Sequence, residues 1–163
     1  MENKILISFD LTPKVEIQGQ VEKDYLIEFI DKDTNQLIHS STIKNNMWTQ
    51  TNRRWYTNWV IKVNDKIEHE FDLTNKKIKI SFESKSIGDT LAWIPQVVEF
   101  QKRYNCEVYV STFHNGWFEG LKEYKNIQFI PPGVGGDYYA HYALGWFKTN
   151  EQWDEGNYHL NKP

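Results

Sequence analysis

Two short stretches of this 163-residue sequence hold side chains suited to chemistry, and these and a third, a glycine-rich loop, each stand at the end of a run that reads as a β-strand. The first is Glu83-Ser84-Lys85-Ser86-Ile87-Gly88-Asp89-Thr90. A carboxylate there could take a proton from a hydroxyl as a general base. Gly88 would permit a tight turn and a close approach of ligand to backbone. The first N–H groups of the helix expected next would favour negative charge at the same place. Asp89 could equally cap that helix, as could Ser86, and spacing alone favours capping. The second stretch is Ser111-Thr112-Phe113-His114-Asn115. An unperturbed histidine titrates near ~6.5, and Asn115 could hold hydroxyls. The plainer alternative is a loop histidine and a helix cap. The third is the loop Pro131-Pro132-Gly133-Val134-Gly135-Gly136. The candidate ligand-contacting residues are Ser86, Gly88, Thr90, Trp93, Thr112, His114 and Asn115, with Asp89 as the candidate base.

Other polar groups offer less. His39, His69, His141 and His159 show no metal-ligating spacing, so no metal site is expected. There is no GxGxxG or phosphate-loop lysine pattern. Trp48, Arg53 and Arg54 could line a binding surface, because Arg suits bidentate contact with phosphate or carboxylate, but a solvated loop is the simpler reading. Gly116-Trp117-Phe118 and Gly145-Trp146-Phe147 repeat a tripeptide with different flanks, which reads as chance.

These stretches need elements to position them. Lys77–Phe82, Glu107–Ser111 and Ile127–Ile130 read as strands. Leu91, Ile94 and Val98 fall on one helical line, with Val97, Phe100 and Tyr104 beside it, which predicts a helix over 90–103. Pro95 fits only if it lies in the first turn. A short helix is expected from Asn115 to Tyr124, capped by Asn115. A last amphipathic helix is expected from Asp137 through Tyr138, Tyr142 and Trp146. Strand, helix, strand, helix, strand predicts a parallel sheet, and ligands bind beyond the C-terminal ends of such strands.

The preceding region reads differently. Val15, Ile17 and Val21, then Tyr25–Ile30, Leu37–Ile43, Trp55–Val63 and Ile67–Phe71, predict an antiparallel meander forming a small barrel or sandwich, with turns at 31–35 and at Asn64-Asp65. Residues 44–54 read as a polar loop. The expected division is a small antiparallel β domain at 1–75, an α/β half at 76–147, and a linker or truncated tail at 148–163.

Composition narrows the classes. Hydrophobic residues make up 39% of the chain and charged residues 25%, enough for a core and against wholesale disorder. A net charge of -3 gives no electrostatic footprint for nucleic acid. The one cysteine, Cys106, cannot form an internal disulfide and reads as a reduced core thiol. No signal peptide or membrane-spanning run is evident, so a cytoplasmic location is expected.

The stretch Lys85-Ser86-Ile87-Gly88-Asp89-Thr90-Leu91-Ala92-Trp93-Ile94-Pro95 resembles the opening of the ADP-heptose:heptosyltransferase family of GT-B glycosyltransferases. The run 99–108, then Ser111–Asn115, Asn126–Ile130 and Tyr142–Phe147, resembles the branch that glycosylates bacterial autotransporter adhesins. So do Asn45–Trp48 and Arg54–Trp59 in the β-rich front. The resemblance covers nearly all of the chain from about Tyr25. It implies an N-terminal β domain followed by the Rossmann-like, acceptor-side half of a GT-B fold. It also implies transfer of heptose from an ADP-activated donor to a hydroxyl, on a protein acceptor in this branch, with inversion and with Asp89 as the base.

The departures carry weight too. The family's second, donor-binding half and its phosphate contacts have no counterpart here. The autotransporter branch's iron-binding cysteines are absent, so an iron site, if present, lies downstream. The chain is therefore expected to hold no cofactor of its own and to be inactive alone. A non-catalytic glycan- or protein-binding module is the alternative. A third reading gives the exposed edge strands a role in assembly, which makes a homo-oligomer an expectation.

Overall fold

In the computed structural model, which describes residues 2–145, the chain forms two units divided between Asp72 and Leu73. In the first, β1 (Lys4–Asp10) pairs antiparallel with β2 (Lys14–Gln18), and β2 with β5 (Met47–Gln50). A separate antiparallel sheet has the order β4-β3-β6-β7, from β3 (Tyr25–Asp31), β4 (Gln36–Ile43), β6 (Trp59–Val63) and β7 (Lys66–Glu70). Among the described residues these strands close no barrel. The β6–β7 hairpin turns on Asn64 and Asp65, with φ of 50° and 65°. Two successive left-handed residues give the turn whose twist matches a hairpin, and Asn and Asp tolerate that backbone best.

Alternation explains what is buried. In β3, Tyr25, Ile27 and Phe29 point inward, and in β2, Val15 and Ile17 do so. Phe29 and Trp59 meet edge-on at 6.4 Å between centroids. Arg53 donates to Asp31 at 3.2 Å and lies 5.0 Å from the Trp55 ring, so the loop arginine is tied down rather than solvated. Two other expectations change. Residues 47–50 are a strand, not loop, because β2 offers a partner edge even though Met47 and Trp48 stay exposed. The expected strand from Trp55 begins only at Trp59.

The second unit has parallel strands in the order β10-β9-β8-β11. They are β8 (Lys77–Phe82), β9 (Glu107–Ser111), β10 (Ile127–Phe129) and β11 (Ala140–Leu144). Helix α1 (Ile87–Tyr104) joins β8 to β9. Two single 3₁₀ turns, Asn115–Trp117 and Lys122–Tyr124, stand where one short helix was expected. Glycines 116 and 120 explain the interruption, since each lowers helix propensity by about 1 kcal/mol relative to Ala.

Three further corrections concern this unit. Within the segment expected as the last helix, Ala140–Leu144 is strand β11, paired with β8 from Ala140↔Ile78 to Leu144↔Phe82, while Trp146 and the tail expected at 148–163 lie outside the described residues. Its i, i+4 aromatics mimic a helix, but a waiting parallel edge outweighs so weak a local preference. Helix α1 buries Thr90, Ile94 and Val97, whereas Leu91 is 51% exposed. The buried stripe is thus rotated away from the expected line. Pro95 lies inside the helix, beyond its first turn. It cannot donate to the Leu91 carbonyl, yet Leu91, Ala92, Pro95 and Gln96 are all on the exposed side, where water can take that role.

Candidate active site at the strand ends

The sheet order places β11 on the opposite side of β8 from β9, so the chain reverses direction across the sheet between β8 and β11. In open α/β sheets that reversal opens a crevice beyond the C-terminal strand ends, because successive connections leave in opposite directions there. Ser84, just past β8, and Gly145, just past β11, stand at this point, with Glu83 N donating to the Leu144 carbonyl at 2.8 Å.

Helix α1 starts at the same edge. Ser86 is its N-cap, and its hydroxyl accepts from the Asp89 N–H at 3.3 Å. The capping task that spacing offered to Asp89 thus falls to Ser86. Asp89 sits in the first turn with its carboxylate turned to other use: Oδ2 accepts from the Ser84 hydroxyl at 2.6 Å. Ser84 Oγ in turn accepts from the Ser86 N–H at 3.1 Å. The chain of bonds fixes the carboxylate against the strand end, and the helix N-terminus holds negative charge there.

The other expected site residues divide by exposure. Gly88 is exposed, and an added Cβ would meet only Ser86 Oγ at 3.6 Å, an ordinary contact. The turn therefore does not require glycine. Thr90 is wholly buried and donates its hydroxyl to the Ser86 carbonyl at 3.1 Å. Trp93 packs edge-on against Phe82 at 5.4 Å, and a Cβ on Gly145 would come within 2.5 Å of its ring. Gly145, at φ +73°, is thus glycine for two reasons, backbone and space.

Past β9, Asn115 organises the turn. Its Oδ1 accepts from the Thr112 N–H and hydroxyl, both at 2.9 Å, and its Nδ2 donates to the Ile130 carbonyl at 2.8 Å. Thr112 Oγ1 also accepts from the His114 N–H at 2.9 Å. His114 Nε2 donates to the Lys85 carbonyl at 3.0 Å, which joins this turn to the one carrying Asp89. The turn leaves Phe113 44% and Trp117 64% exposed.

Sequence reasoning passed over Ser84 and Gly145, which the structure brings to the strand ends beside Asp89 and Trp93. Ser84 carried a signal, a hydroxyl between the strand and a Gly-Asp pair. Gly145 was hidden because its strand was read as helix. Among the described residues no group of three His, Cys, Asp or Glu side chains is gathered for a metal. Cys106 is buried at the foot of β9, and burial pushes its thiol up from 9.0 to about 11. This lone thiol has no further ligands gathered with it among the described residues.

Comparisons with known proteins follow the same lines. No family model matches the chain. It is 26% identical over 134 residues to an inactive autotransporter heptosyltransferase, BimC, of Burkholderia thailandensis, covering 78% of this chain and 31% of the relative. It is 24% identical over 93 residues to the autotransporter heptosyltransferase BAHTCr of Citrobacter rodentium, covering 53% and 22%. It is 22% identical over 132 residues to the autotransporter heptosyltransferase Aah of Escherichia coli, covering 76% and 34%. In structure it is similar to TibC, an iron-containing dodecameric glycosyltransferase of enterotoxigenic E. coli, with a TM-score of 0.80 at 18% identity, covering 98% of this chain and 46% of that one. A TibC structure in complex with ADP-D-β-D-heptose matches with a TM-score of 0.75 at 18% identity, covering 93% and 40%. The chain is a relative of autotransporter heptosyltransferases and has the fold of part of a glycosyltransferase. It spans about a third or less of the length of these curated relatives.

Proposed function

We propose that this chain is the acceptor-side portion of an inverting glycosyltransferase, in which Asp89 is the general base. The parallel unit reads as the start of a Rossmann-like half of a GT-B fold. In this reading the donor is an ADP-activated heptose held mainly by a second half of the protein, and the acceptor is a hydroxyl on a protein. Asp89 takes the hydroxyl proton, the oxygen bonds to the anomeric carbon from the face opposite the nucleotide, and the bond to the diphosphate breaks as ADP leaves. A cytoplasmic location, where activated sugars are made, goes with this reading.

The carrying observation is that Ser86 caps α1, so the Asp89 carboxylate is held by Ser84 at the reversal of the sheet instead. The test is Asp89→Asn in the full-length protein, with ADP release and acceptor labelling as readouts. A positioned base contributes about 10²–10⁴-fold to rate, so transfer should fall by that factor while the melting temperature holds. Undiminished transfer in the variant removes the base assignment.

One relative supports a second reading, since BimC is named as inactive. A non-catalytic binding module would keep the strand-end architecture without turnover. Wild-type full-length protein that binds an ADP-heptose donor and an acceptor yet releases no ADP would decide for it.

A further inference from the structure

The turn that carries Asp89 is fastened by few contacts. From Glu83 to Asp89 no residue is buried, and Glu83, Lys85, Ser86 and Gly88 are exposed. Packing therefore does not fix this stretch, and hydrogen bonds have to. Its start is tied to β11 by the Glu83 N–H and the Leu144 carbonyl, and its end to the helix by the Ser86 cap. Between those points Lys85 reaches across to the next strand end, where its carbonyl accepts from His114 Nε2 at 3.0 Å.

The chemistry of that bond fixes its direction. A carbonyl oxygen only accepts, so Nε2 carries the proton. It does so in the neutral ring of this tautomer and in the cation alike, so the bond does not depend on the charge of the imidazole. His114 is itself well held. Its N–H donates to Thr112 Oγ1 at 2.9 Å, Thr112 is 1% exposed, and Asn115 Nδ2 binds the same turn to the Ile130 carbonyl. The Trp117 ring flanks the imidazole at 6.2 Å between centroids. His114 thus links a firmly tied turn to a weakly tied one.

We propose that His114 is a positioning residue for the base. It holds the Lys85 carbonyl and so keeps Ser84 and Ser86, on either side of Lys85, where they orient the Asp89 carboxylate. Both serines bear on Asp89 directly. Ser84 donates to Oδ2 at 2.6 Å, the Ser86 N–H donates to Ser84 Oγ at 3.1 Å, and Ser86 Oγ accepts from the Asp89 N–H at 3.3 Å. With Oδ2 engaged, Oδ1 is the oxygen that takes the hydroxyl proton. This rests on the glycosyltransferase reading and changes the task of His114 within it, from holding acceptor hydroxyls to holding the turn. A displacement of about 1 Å at a reacting group can cost about a hundredfold in rate, so one bond beside the serines carries weight.

The test compares His114→Ala with His114→Gln, because a glutamine amide N–H can stand where Nε2–H does yet cannot exchange a proton with substrate. In this chain, amide hydrogen exchange at Ser86 and Asp89 should quicken by about fivefold in His114→Ala, the factor of one hydrogen bond, with the β8 and β9 amides unchanged. In the full-length protein kcat should fall by about tenfold to a hundredfold with KM for the acceptor retained, and His114→Gln should restore most of the loss. In an Asp89→Asn background His114→Ala should cost nothing more, because its effect runs through the carboxylate. A raised acceptor KM with kcat intact overturns the role, since it gives the imidazole to the ligand. So do equal losses in the Gln and Ala variants, unchanged exchange at Ser86 and Asp89, or a further loss in the Asp89→Asn background. A fall in melting temperature that accounts for the lost transfer, with kcat regained on cooling, overturns it as well. Failure of the base assignment shows separately, as Asp89→Asn that transfers sugar at the wild-type rate, and the positioning role then falls with it.

Discussion

The turns after β8 and β9 use similar residues and distribute their hydrogen bonds in opposite ways. In the first, Ser86 satisfies the helix end and Ser84 holds the Asp89 carboxylate, which leaves that carboxylate out of the capping role. In the second, Asn115 and Thr112 satisfy each other and the backbone, and what the turn presents is aromatic. The contrast shows that a polar residue at a strand end is open to other use only once the backbone's own demands have been met by another group.

Substitutions can break or sharpen this contrast. The largest effect on function is expected for Asp89→Asn, the loss of about 10²–10⁴ in transfer already set out, with little change in stability. Asn115→Ala should show the converse. It removes three hydrogen bonds, one of them from the N–H of the buried Thr112, and at about 1 kcal/mol each should cost about 3 kcal/mol. Chemical denaturation of the chain checks this. A variant that keeps its midpoint would mean Asn115 is available to ligand instead. Ser86→Ala should cost about 1 kcal/mol as a lost cap. If Ser86→Asp restores the midpoint, the capping role is sustained.

A smaller effect is expected from pH. Burial raises the Cys106 thiol to about 11 in the folded chain, above its ordinary 9.0. The fold therefore holds this proton more tightly than the unfolded chain does. The associated stability is intact below about pH 9 and is lost as pH rises toward 11. Cys106→Ala should remove that alkaline decline from a plot of unfolding free energy against pH, and an unchanged slope would contradict the assignment.

Much of the second unit was legible in the sequence. Strands at 77–82 and 107–111 stand as expected, because β-rich runs bounded by polar turns leave little ambiguity. The helix was found, with Ile94 and Val97 of its buried side, but exposed Leu91 was read in place of buried Thr90, since both fit a helical line. What decides between them is the neighbour they pack on. Strand β11 was illegible for the same reason: Ala140–Leu144 is short, and its helical spacing is overruled by pairing with β8, more than fifty residues away in sequence. With β11 unseen, the reversal beside β8 could not be placed. Of the site, Asp89 was visible as a residue type at a strand end. Its release from capping was not, because Ser86 and Asp89 compete for one N–H that only geometry assigns.

The chain's lone thiol gives the parallel sheet a built-in clock. Cys106 is 4% exposed at the start of β9, with Gln101 of α1 donating to its carbonyl at 3.2 Å. An alkylating reagent can reach it only when β9 and the end of α1 part, so the rate of modification counts those openings. One chemical tag, placed by the sequence itself, thereby times the breathing of the sheet that carries the candidate site.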